Sequence, residues 1–231
     1  MRSYEFFLAL GDSLISDDYP GPSQGAAALL YRNDDRRWPE FAGRDLARQS
    51  PGVRFLNLAS TGHTSLHVQE QVRHLPPGRG EVLVALAVGG NDLLGWLAEG
   101  ADPVAGMAAY ARRLTGILRE LASRYPRRRV LVANVYDPSD GTGRTQSGKA
   151  AFPQALPLLA ELNRTISRTA RAEGGVLVDV YRHFLGHGLR HADPSYEHYH
   201  PEDPSGWIFY DIEPNPRGAS EIRRLLWQAA A

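Results

Sequence analysis

Ser13 stands directly after a short apolar run, Tyr4 to Leu10, in the sequence Gly11-Asp12-Ser13-Leu14. A hydroxyl delivered at the end of a buried strand emerges at the carboxyl edge of a sheet. Open α/β proteins bind ligands there, so a serine in that place is a candidate nucleophile. Attack on an acyl carbon needs two further parts: a base for the hydroxyl proton, and donors aimed at the oxygen that gains charge. Two other stretches offer donors. Gly62, in the segment Asn57 to Ser65, lets a backbone N–H come close to a ligand, and Asn91, after Gly89 and Gly90, offers a neutral side-chain N–H. Taken singly, each is also an ordinary turn or cap signal. Their placement after three successive apolar runs is what points to one site.

The elements that must position these residues are legible as alternation. Five apolar runs, at 4–10, 53–59, 81–88, 129–135 and 175–180, are near-continuous aliphatics, the pattern of parallel strands covered on both faces. Between them lie helical stretches. From Pro103 to Tyr125, the residues Val104, Met107, Ala111, Leu114, Leu118 and Leu121 recur at three or four positions and so share a face, with Asp102 as cap and Pro103 in the first turn. Asn215 and Pro216 open a last helix carrying Ile222, Leu225 and Leu226. Such alternation predicts an α/β fold with a three-layer α/β/α sandwich. No repeat or linker divides the chain, so 1–231 reads as a single domain with long loops at about 14–37 and 182–212 as candidate site walls.

These motifs resemble the four blocks of the SGNH, or GDSL-type, hydrolase family, which supply serine, glycine, asparagine and histidine. Gly11 to Leu14 matches the first block, the segment around Gly62 the second and Gly89 to Asp92 the third. The resemblance implies a flavodoxin-like sheet of about five parallel strands and acyl hydrolysis or transfer without a cofactor. It also implies Ser13 as nucleophile, with its own N–H, the Gly62 N–H and the Asn91 side chain as the oxyanion hole.

The fourth block departs from the family pattern of Asp, two residues, His and Pro. Here Glu213 takes the His place and Tyr210 the Asp place, while Pro214, Asn215 and Gly218 are kept; Asp211 is one position off. Three answers stand. The base has moved into the preceding loop, where His183, His187, His191, His198 and His200 cluster; or Glu213 is itself the base; or the relay is gone and the fold binds without turnover. The first is the reading adopted, with His187 as base because Gly186 and Gly188 allow close approach, and Glu213 holding its tautomer. His200, between Glu197 and Pro201, is the second choice. A metal site on paired histidines four apart is the competing explanation of the cluster.

Composition narrows the chemistry. The 26 basic and 26 acidic residues cancel, which argues against nucleic acid or an anionic membrane as partner. Zero cysteines exclude disulfides, thiolate metal sites and a cysteine nucleophile, and a single lysine, Lys149, argues against a Schiff base. No run reaches the length of a membrane span and Met1 to Leu10 does not read as a signal peptide, so a cytoplasmic location is expected. The expected reaction is hydrolysis of a small-molecule ester or thioester through an acyl-serine, with an acyltransferase or a silent binding module as alternatives. Asp12, His63, Arg32 and His200 are candidates for substrate contact. In the first long loop, Ala26 to Tyr31 reads as an apolar patch under a mixed-charge rim. No metal or other cofactor is called for, and oligomeric state is not encoded legibly.

Overall fold

The computed structural model describes residues 3–145, 147 and 153–231; Lys149 lies outside them. In chain order the elements are β1 (Phe6–Gly11), α1 (Ala26–Tyr31), α2 (Leu46–Gln49), β2 (Arg54–Asn57), α3 (Ser65–His74), β3 (Val82–Ala87), α4 (Gly90–Glu99) and α5 (Pro103–Arg124). They continue with β4 (Arg128–Ala133), α6 (Ala155–Ala172), β5 (Val176–Val178), α7 (Val180–Phe184), β6 (Ile208–Phe209), β7 (Glu213–Pro214) and α8 (Pro216–Ala230). The first five strands form one parallel sheet in the order β2-β1-β3-β4-β5, the flavodoxin-like winding.

Alternation of side chains across each strand divides the core into two layers. Phe7 and Ala9 of β1, with Leu83, Leu131 and Val178, face α1 and α8, where they meet Ala27, Leu30, Ile222 and Leu226. Leu8 and Leu10, with Val84, Leu86 and Val130, face the other way onto α3, α5 and α6, through Val68, Leu114, Leu121 and Ile166. Both faces of β1 and β3 are covered, which is why those strands are almost wholly apolar. In α5 the Asp102 side chain accepts from the Val104 N–H at 2.9 Å, as its cap position predicts. Val104 itself does not join the buried face: it is 78% exposed, and burial along the helix begins at Tyr110.

Two sequence expectations for the loops change. The run Ala26 to Tyr31 is helix α1, and its alanines and leucines are buried in the core rather than presented to a ligand. The loop of 182–212 ends in a short antiparallel hairpin, β6 and β7, in which Phe209 pairs with Glu213 and Ile208 with Pro214. This hairpin carries the fourth block to the sheet edge.

Candidate active site

Gly11 ends β1 with φ +141°, and a Cβ there would lie 1.8 Å from the Ala87 carbonyl oxygen of the neighbouring strand. Only glycine lets β1 run this close to β3 up to its last residue. The Asp12 N–H then donates to Ala87 O at 2.9 Å, and Asp12 Oδ1 accepts from the Leu14 N–H at 3.1 Å. The resulting tight turn lifts Ser13 out of the sheet plane.

The second block is stitched to the same point. Gly11 O accepts from the Ser60 N–H at 3.1 Å and lies 3.2 Å from His63 Nδ1. The Ser60 carbonyl accepts from the His63 N–H at 3.3 Å, closing a turn whose third residue, Gly62, has φ +78°. A positive φ at that turn position is the reason for glycine. Among the described residues neither the Ser13 nor the Gly62 N–H has an acceptor within the protein. The third block locks onto the second: Asn91 Nδ2 donates to the His63 carbonyl at 3.0 Å, leaving its other N–H for a ligand. Behind it Asp92 accepts from both the N–H and the hydroxyl of Ser65, at 2.8 and 2.6 Å.

Glu213 closes the constellation. It is buried, 6% exposed, and the hydroxyls of Ser13 and of Tyr19, a residue of the first long loop, lie near enough to its carboxyl to favour the charged form. Burial raises its pKa above the usual carboxylate value, and the two hydroxyls work against that rise. Asp12 is pushed further, up to about 7, mainly by burial and then by the charge of Glu213. Asp12 therefore keeps its proton up to about neutral pH. Ser13, Asn91, Asp12 and Glu213 line one cleft of about 150 Å³, whose wall is apolar: Leu93, Leu94, Leu97, Val135, Leu156, Leu159 and Ile212. Asp137, Ser139, Arg144 and Thr145 form its polar end.

The histidines go elsewhere, contrary to the expectation for His187. Its ring is 3% exposed, stacked 3.4 Å from Trp207 on one side and 4.5 Å from His200 on the other, with Nδ1 2.9 Å from the Ser205 carbonyl. Its glycine neighbours serve the loop, not a substrate: a Cβ on Gly186 would meet His198 O at 1.8 Å, and one on Gly188 would meet Pro138 O at 2.5 Å. His200 places Nε2 3.0 Å from the Leu185 carbonyl, and His183 places Nε2 3.0 Å from Glu221 Oε2. None of these rings lines the cleft. Among the described residues no three metal-ligating side chains gather. Arg32 lies over the Tyr31 ring at the end of α1, away from the cleft, and Asp211 accepts from the N–H and hydroxyl of Ser147. His63 is held at Gly11 O and is not among the cleft-lining residues.

The family model described as GDSL-like lipase/acylhydrolase matches residues 9–218. The chain belongs to that family. Solved structures share its fold at low identity. An extracellular lipase from Streptomyces rimosus is 18% identical with a TM-score of 0.64, covering 98% of this chain and 99% of its own. Phospholipase A1 from Streptomyces albidoflavus NA297 is 19% identical with a TM-score of 0.63, covering 99% and 100%. A variant of an acetyl xylan esterase from Geobacillus stearothermophilus is 14% identical with a TM-score of 0.65, covering 99% and 95%. No curated protein matches the sequence. Family membership makes the protein a hydrolase of ester substrates. Among the described residues no helix is long and apolar enough to cross a membrane.

One residue beside Glu213 escaped the sequence reading. Tyr19 carried no motif, and its only signal was membership of an over-long loop beside the first block. Glu213 was weighed both as the base and as the partner of a histidine, and the second was the reading adopted.

Proposed function

We propose that the protein hydrolyses a small-molecule ester or thioester through an acyl-Ser13 intermediate, with Glu213 as the base. The supporting observation is that the buried Glu213 carboxyl lines the same cleft as Ser13 and is acted on by its hydroxyl, while the rings of His183, His187 and His200 are held by other partners. A carboxylate in water is a weak base for a hydroxyl; burial that raises its pKa makes it a better one.

In this reading Ser13 Oγ forms a bond to the acyl carbon as its proton passes to Glu213. The carbonyl oxygen gains the charge and takes hydrogen bonds from the Ser13 and Gly62 N–H groups and from Asn91 Nδ2. Collapse expels the alcohol or thiol, which leaves with the proton from Glu213. Water repeats the cycle on the acyl-enzyme: its proton goes to Glu213, its oxygen to the acyl carbon, and Ser13 departs as a hydroxyl. Neutral Asp12 keeps a second negative charge away from the oxyanion. The leucine-rich wall suits an apolar acyl group.

The test is intact-mass spectrometry after exposure to a fluorophosphonate. Wild type should take one adduct on Ser13, and Ser13→Ala none. Glu213→Gln should be labelled about a hundredfold more slowly or worse, in line with loss of a general base. Labelling of Glu213→Gln at the wild-type rate would remove Glu213 from the mechanism.

A further inference from the structure

A base and its supporting partner must match in kind. An imidazole donates its second N–H, so its partner is an acceptor. A carboxylate has only acceptors, so the group that steadies it has to be a donor, and another carboxylate in that place would repel it. At the position where the fourth block would bring an acid, this chain has Tyr210, 71% exposed, and the adjacent Asp211 is turned onto Ser147. The donor arrives from another part of the chain.

We propose that Tyr19 is the positioning residue for Glu213: its hydroxyl holds one carboxylate oxygen and so presents the other to Ser13. This rests on Glu213 being the base. Tyr19 is placed for the task by three independent contacts. Its ring packs edge-on against Phe209 at 6.0 Å, the residue paired with Glu213 across the hairpin, and at 6.0 Å against Tyr210. Its hydroxyl accepts from Thr61 Oγ1 at 3.3 Å, which leaves its own proton for Glu213. Asp18, next to it, accepts from the Thr61 N–H at 2.6 Å and from Ser16 Oγ at 2.9 Å, fixing the loop to the oxyanion-hole turn.

The hairpin supplies the counterpart of that fixed point. Tyr210 and Asp211 have φ of 49° and 69°, conformations that non-glycine residues adopt at a cost, and only Ile212 separates them from Glu213. The Tyr136 hydroxyl donates to the carbonyl of that Ile212. Base and serine thus sit between two loops that meet through the Tyr19 ring.

The other titratable groups near Glu213 are Asp12, Asp18 and Tyr136. Asp18 opposes ionisation of Glu213, and Tyr19 and Ser13 are the groups that favour it. Removing the Tyr19 hydroxyl therefore raises the pH at which Glu213 becomes a base.

The experiment is the rate of fluorophosphonate labelling between pH 4 and 9 for wild type, Tyr19→Phe, Tyr210→Phe and Glu213→Gln. Tyr19→Phe keeps the ring and its packing. Its ascending limb should move up by about one to two pH units, so that labelling below the limb falls about tenfold or more. Tyr210→Phe should leave the limb in place. An unmoved limb in Tyr19→Phe, or an equal move in Tyr210→Phe, overturns the assignment while leaving Glu213 as base. A Glu213→Gln protein labelled like wild type, or a wild type that takes no adduct, overturns both.

Discussion

Two acidic residues beside Ser13 are both pushed up by burial, and the pH dependence of the proposed reaction follows from them. In the proposed reaction Glu213 acts as base only when ionised, so activity should rise with pH through its raised pKa. Asp12 is pushed up to about 7, and in the same proposal its charge above that point would oppose the charge gathering at Ser13, so activity should fall there. Asp12→Asn keeps the acceptor for Leu14 N–H but cannot ionise; its kcat/KM profile should stay flat where the wild type declines, and a decline identical to wild type would assign the limb elsewhere. His187→Ala probes the opposite kind of residue. It removes a buried ring from between Trp207 and His200, so it should cost about 2–4 kcal/mol in denaturant unfolding. Ser13 labelling in the folded fraction should be unchanged. A large loss of labelling with unchanged stability would return the histidine to the chemistry.

At the scale of elements, strand ends do most of the positioning. Gly11→Ala would force β1 away from the Ala87 carbonyl and displace Asp12, Ser13 and the Gly11 oxygen that anchors Ser60 and His63. It should abolish labelling even where circular dichroism still reports native helix content. The strands and the terminal helix were legible in the sequence because burial on both faces of β1 and β3 leaves an unbroken aliphatic signature, and because Asn215 caps α8 at the Gly218 N–H as its position suggests. The first three blocks were legible for the same reason: each follows its strand directly, so local sequence fixes where it lands. The base was not. Which side chain reaches Ser13 depends on the hairpin of β6 and β7 and on a loop that closes around Trp207, and both are set by contacts between distant segments. Gly186 and Gly188 illustrate the ambiguity: glycine is needed wherever backbone comes close, and here what comes close is His198 O and Pro138 O, not a substrate.

Across the whole molecule the raised pKa of Asp12 links the site to stability. Below about pH 4 the carboxyl is protonated whether the chain is folded or not. Between there and about 7 the unfolded chain ionises while the folded one retains its proton, so this group makes the fold progressively less stable as pH rises, and the loss levels off above 7. Denaturant midpoints of Asp12→Asn and wild type should therefore agree at pH 4 and separate by pH 8, with the variant more stable on the order of a few kcal/mol. Equal midpoints throughout would mean that Asp12 ionises as freely in the folded protein as in the unfolded chain.

The meeting of Ser13 with Glu213 joins residues 200 positions apart, by way of a parallel sheet in which β1 must first find both β2 and β3. Contacts of such long sequence separation form late, because the chain entropy they remove is recovered only when the intervening structure is in place. Reactivity of one hydroxyl thus becomes a clock for folding: in a refolding time course quenched with fluorophosphonate, adduct formation should lag the return of helix signal, and the lag measures how long the hairpin takes to dock.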